Sequence, residues 1–176
     1  MKPFIIPILE DGKLILKFQC EGRNSEQIKE TFEGTWITAY AMPDGHSLKE
    51  VWLFRLFFGN DYFIEFSSAC SGVGGWREIG SLNLRIDRIQ NSDQGQESGI
   101  FKKKDIEPFY VSSITRLVYE DELVNVEGGI VFKDSNGKLL TIAAGIPPGS
   151  VSVVGPFSNG DFQPEFAIAD YKEVVI

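Results

Sequence analysis

The sequence predicts a mainly β protein: an antiparallel β-sandwich or a partly closed barrel of about ten short strands with one short helix. Three observations carry this. Apolar residues recur with period two along most of the chain, turn residues punctuate the runs at short intervals, and one stretch alone has helical spacing.

The elements follow in order. Phe4, Ile6 and Ile8 share one parity, as do Leu14, Leu16 and Phe18, and Glu10-Asp-Gly-Lys13 between them makes an N-terminal hairpin. Asn24-Ser-Glu-Gln27 then reads as a helix start, with Ile28 and Phe32, four apart, as the buried face and Gly34 as the stop. Extended character resumes at Thr35–Ala41, where alternation puts Trp36, Thr38 and Tyr40 on one side. After the Pro43-Asp-Gly45 turn, Val51–Phe58 is apolar on both faces except for Arg55, as expected of a central strand. Gly59-Asn-Asp61 returns it into Tyr62–Ser67 as a second hairpin. Gly72-Val-Gly-Gly75 makes a wide turn, and Leu82, Leu84 and Ile86 alternate after it.

Residues 90–99 read as a flexible excursion closed by Lys102, Lys103 and Lys104, within a single domain spanning residues 1–176. Val124, Val126, Gly128, Ile130 and Phe132 keep one parity, and Leu140, Ile142 and Ala144 continue it across Ser135-Asn-Gly-Lys138, a strong hairpin signal. The Gly128-Gly129 pair predicts a bulge. Pro147-Pro-Gly149 breaks the chain before Val151–Val154, and a last strand is expected over Phe166–Ala169.

Composition narrows the function. Hydrophobic residues make up 43% of the 176 and charged residues 24%, which suits a packed core and argues against disorder. Cys20 and Cys70 do not make a secreted disulfide framework, and the apolar run Phe4–Leu9 is too short for a signal core, holds Pro7 and is followed by acids. No stretch is long enough to span a bilayer. The expectation is a cytoplasmic protein with no membrane association. The net charge of −8 sits mostly in the back of the chain, where residues 105–176 hold 11 acids against Arg116, Lys133, Lys138 and Lys172. That balance disfavours nucleic acid and suits a basic protein partner. Oligomeric state has no sequence signal.

No motif for catalysis, cofactor or metal emerges. His46 is the single histidine, and nothing in its spacing pairs it with Ser71 or Cys70 as a base–nucleophile couple. Gly72–Gly75 lacks the Lys-Ser/Thr ending and following helix of a phosphate loop. One histidine and two separated cysteines do not supply a structural zinc site, and no EF-hand calcium loop is present. Glu65, the acid within an aromatic strand, reads as surface-facing. Glu120, Asp121 and Glu122 read as an acidic hairpin tip able to steer a basic partner.

Two resemblances add expectations. Phe32-Glu-Gly-Thr-Trp36, after a short helix, resembles the opening motif of lipocalins and fatty-acid-binding proteins. The likeness implies an apolar ligand in a barrel, with Gly34 and Trp36 carried over; Trp36, Trp52, Phe54 and Phe66 would line its interior. Glu127–Gly149 is similar to the C-terminal hairpin and Pro-turn of small bacterial proteins, some of which are immunity proteins that accompany toxins. The leading expectation is therefore a non-enzymatic, cofactor-free bacterial protein that binds another protein, of the immunity-factor type, with Glu120, Asp121 and Glu122 on the rim. The alternative is a lipocalin-like binder of a small apolar ligand.

Overall fold

The alternating runs become the strands of two facing sheets in the computed structural model, which describes residues 6–21, 25–89 and 100–176. One sheet holds β1 (Ile8–Glu10), β2 (Lys13–Leu16), β9 (Ser113–Glu120), β10 (Val124–Lys133), β11 (Leu139–Ala144), β12 (Val151–Val154) and β13 (Tyr171–Val175). The other holds β3 (Gln19–Cys20), β4 (Trp36–Pro43), β5 (Phe54–Phe58), β6 (Tyr62–Gly72), β7 (Glu78–Arg88) and β8 (Phe101–Tyr110), in the order β3-β7-β6-β5-β4-β8. The helix α1 spans Ser25–Phe32.

In the first sheet β13, β9 and β10 are successive neighbours. The free side of β10 is then shared: Val124–Val126 pair with β2 in parallel, and Gly129–Lys133 pair with β11 antiparallel. β1 extends the first branch and β12 the second. With β3 also parallel to β7, both sheets are mixed, a departure from the expected antiparallel pattern. No closed barrel forms, because each sheet ends in strands paired on one side only.

Side chains of the expected parity fill the space between the sheets. Phe54, Leu56, Ile64, Phe66, Leu82 and Leu84 from one sheet meet Ile114, Ile130, Phe132, Leu140, Ile142 and Val153 from the other. Phe132 lies 6.1 Å from Phe58 and 6.4 Å from Phe66, ring to ring, so aromatic contacts cross the interface. α1 closes one end: Ile28 and Phe32 are fully buried, and the Phe32 ring sits 4.4 Å from that of Phe58. Its expected cap, Asn24, lies outside the described residues, as do Phe4 and residues 90–99. Gly34 ends the helical stretch at φ +80°, a conformation that glycine adopts without strain.

The hairpins form where turn chemistry places them. Asp134 accepts the amides of Asn136 and Lys138 at 2.8 and 2.7 Å, fixing the β10–β11 turn around Gly137. The bulge falls at Gly128: Glu127 faces Val118 and Gly129 faces Leu117, which leaves Gly128 over. A Cβ on Gly128 would stand 3.2 Å from the Tyr171 ring.

Other expectations need correction. Phe166–Ala169 is no strand; it runs into a 3-10 turn over Ile168–Asp170, and the last strand is β13. Phe166 instead stacks flat on Tyr119 with centroids 3.6 Å apart, a ring contact that alternation does not reveal. Trp36, Thr38 and Tyr40 do not share a face, because a bulge between Ile37 and Ala39 moves Ile37 and Tyr40 together into the core. Lys102, Lys103 and Lys104 belong to β8, each paired across to β4, and the excursion expected before them lies outside the described residues. Glu65 is well covered, held by Arg55 at 2.7 Å and Arg85 at 3.3 Å. No helix of the described residues is long and apolar enough to cross a membrane.

Candidate functional site

Beside β4 and β8 an aromatic groove of about 730 Å³ opens between the sheets. Its first wall comes from a break in the β8 ladder. Phe109 pairs with Ile37 and Asp105 with Ala39, so Ile106, Glu107 and Pro108 stand against Thr38 alone and bow out of register. Pro108 has no amide to donate, which suits this break. The opposite wall is the β10–β11 turn, with Asp134, Asn136 and Lys138, and the floor is Pro156-Phe157 after β12.

The floor is rigidly seated. Ser158 accepts the Gly155 amide at 3.0 Å and donates to the Gly155 carbonyl at 2.9 Å, locking the turn that carries Phe157. Phe157 stacks on Tyr40 at 4.8 Å, and Tyr40 stacks on buried Phe54 at 5.7 Å. The groove floor is thus an outward extension of the core. At its mouth Trp36 packs 5.0 Å from Tyr110 and remains 50% exposed. Past Lys104 and Phe157 the depression continues for about 360 Å³ toward His46, Lys49 and Asp161.

The residues singled out from sequence are scattered over the molecule. Of Trp36, Trp52, Phe54 and Phe66, the last two are fully buried and pack together in the core, whereas both tryptophans are exposed. Trp36 lines the groove, and Trp52 lies 5.2 Å from the His46 ring. The four therefore surround no common interior. Glu120, Asp121 and Glu122 do sit at the β9–β10 tip, yet two of them are already engaged. Glu120 is paired with Lys13 at 2.9 Å and Lys172 at 3.4 Å, which hold its carboxyl below the usual range. Asp121 takes Arg77 at 2.6 Å and the amides of Leu123 and Val124. Burial pushes the Asp121 carboxyl up, but these donors outweigh it and bring it down to about 2.

No protein-family model, curated protein or solved structure matches the chain.

The groove was not visible in sequence beyond Trp36, since Tyr40, Tyr110 and Phe157 come from three separated segments. A second missed residue is Glu165. Its carboxylate accepts the Gly80 amide of β7 at 2.8 Å while its own amide donates to Ala144 of β11 at 2.8 Å, so it ties one sheet to the other. Burial pushes this carboxyl up to about 7, against the pull of the Gly80 amide and Arg77. Nearby, Tyr171 is buried and its hydroxyl is approached by the Phe166 amide without a completed hydrogen bond. Cys70 accepts the Gly149 amide at 3.1 Å, and burial raises its thiol, the opposite of an activated nucleophile. Cys20 and Cys70 are not bridged. His46 has no hydrogen bond to Cys70 or Ser71 among the described residues, and none of these gathers three metal-ligating side chains.

Proposed function

We propose that this protein acts by binding another protein, and that the aromatic groove is the contact site. The observation that carries the reading is Trp36, half exposed, braced by Tyr110 at the mouth of a preformed cavity whose floor is anchored in the core. Braced aromatic side chains are the residues that most often dominate binding energy, because they bury large area at small entropic cost. The net charge of −8 favours a basic partner. An immunity-type role, in which the partner is sequestered, is the form suggested by the resemblance of residues 127–149.

The test is a pulldown with the purified chain as bait in the lysate of its own host, followed by direct titration of the recovered protein. A partner bound by the unaltered chain and released by Trp36→Ala supports the reading. Equal binding by both forms moves the contact elsewhere.

The cavity's size also fits a small ring-bearing ligand, and this is the second reading. It predicts a small molecule released on denaturation and a melting temperature raised by apolar probes, with Trp36 fluorescence changing on binding.

A further inference from the structure

Aromatic rings around the second sheet are repeatedly covered by cations of the same chain. Arg55 lies 3.9 Å from the Phe101 centroid and 5.3 Å from that of Phe63. Lys103 stands 4.6 Å over Phe57, Arg88 5.1 Å over Tyr62 and Lys104 6.0 Å over Tyr40. Two of these four cations also meet a carboxylate or phenol oxygen: Arg55 pairs with Glu65, and Arg88 donates to the Tyr62 hydroxyl. Ring and oxygen together hold Arg55 and Arg88.

The mouth of the groove has the same ring and oxygen parts; of the two lysines that line the groove, Lys104 covers Tyr40 and Lys138 lies on the opposite wall. Exposed Trp36 and half-buried Tyr110 form a ring pair, and Asp105 and Glu107 lie on the adjoining β8 wall. Among the described residues no Arg or Lys covers Trp36 or Tyr110, and neither Asp105 nor Glu107 forms an ion pair. Both carboxylates are exposed, as is the indole, so a side chain arriving from outside meets them with no internal pair to break.

We infer that the groove mouth is a receptacle for a cationic side chain of the partner, arginine above lysine, seated against Trp36 and Tyr110 and neutralised by Asp105 and Glu107. Arginine is favoured because its planar guanidinium stacks on an aromatic face and still offers in-plane donors to a carboxylate. Lysine presents a point charge that remains more strongly hydrated. The inference rests on the groove being the binding site and specifies the chemistry of what enters it.

The experiment uses the full chain with Trp52→Phe and Trp76→Phe, which leaves Trp36 as its single indole. Trp36 emission is titrated with an acetylated Gly-Arg-Gly amide and with its citrulline counterpart, equal in shape and uncharged, up to about 10 mM, since one side chain alone binds weakly. A saturable change with the arginine peptide is expected, weakened at high salt and by about tenfold in Asp105→Asn/Glu107→Gln, with little change for citrulline. Circular dichroism checks that each variant is folded. Equal response to both peptides, or no response to either, overturns the receptacle. The groove reading is judged separately, by whether Trp36→Ala releases the captured partner.

Discussion

Two acidic regions of this molecule differ in a way their sequences do not announce. The β9–β10 tip carries three consecutive acids, yet Glu120 is held by Lys13 and Lys172, and Asp121 by Arg77 and two backbone amides. The groove wall carries only Asp105 and Glu107, two residues apart in a strand rich in lysine, and both face water without an ion pair among the described residues. Density of charge along the chain is therefore a poor guide to which carboxylates the fold leaves without an internal partner. What counts is whether the fold has already matched the charge, because a carboxylate with a satisfied partner gains little from a second one.

The comparison can be broken by substitution. The largest effect is expected from Trp36→Ala, which should weaken partner binding by about 2–4 kcal/mol in a titration and leave unfolding nearly unchanged. If the tip substitutions Glu120→Ala and Glu122→Ala weaken binding more, the two regions have been assigned the wrong way round. Asp121→Ala should instead act on the fold, destabilising it by about 1–3 kcal/mol in denaturant unfolding, since the turn amides and Arg77 lose their acceptor.

Titration sharpens the contrast. The folded-state pKa of Asp121, about 2, lies below its ordinary value of 3.8. Its contribution to stability is therefore present above about pH 4 and lost as pH falls through about 2. Asp121→Asn should remove that acid-side slope. Glu165, buried against Gly80, behaves in the opposite sense. Its folded-state pKa of about 7 exceeds the ordinary 4.5, so the native state binds the extra proton and stability declines as pH rises from about 4.5 to about 7. Thermal unfolding of Glu165→Gln should be flatter across that window, and an unchanged slope would discard this account. The smallest effect belongs to Asp105→Asn/Glu107→Gln, expected to change unfolding free energy by less than about 0.5 kcal/mol.

Much of the fold was legible because local chemistry decides it. Asn136-Gly137 specifies a turn, Ile28 and Phe32 specify a helix face, and the Gly128-Gly129 pair marks a bulge. The parallel pairings of β2 with β10 and β3 with β7 were not legible, since nothing local distinguishes them from hairpin partners. The same limit hid the site. Trp36 stood out as a residue, but its neighbours Tyr110 and Phe157 are brought there by sheet order and by the Ser158-locked turn. The place of Lys102–Lys104 in a strand was hidden for a related reason: Lys103 and Lys104 cover the rings of Phe57 and Tyr40, which belong to other strands, and Lys102 pairs with Asp44.

The sharing of β10 between β2 and β11 has a further consequence for how the chain assembles. β9, β10 and β11 are consecutive hairpins and can pair among themselves, whereas β2 must find its place from the far end of the chain, and Phe18 donates to Glu127 across 109 residues. Such a contact closes a very long loop and is expected late in folding. Until it forms, the first half of β10 is an unpaired strand edge, open to the same segment from another molecule. Concentrated refolding should then yield exchanged dimers in which one chain's amino-terminal hairpin completes its neighbour's sheet.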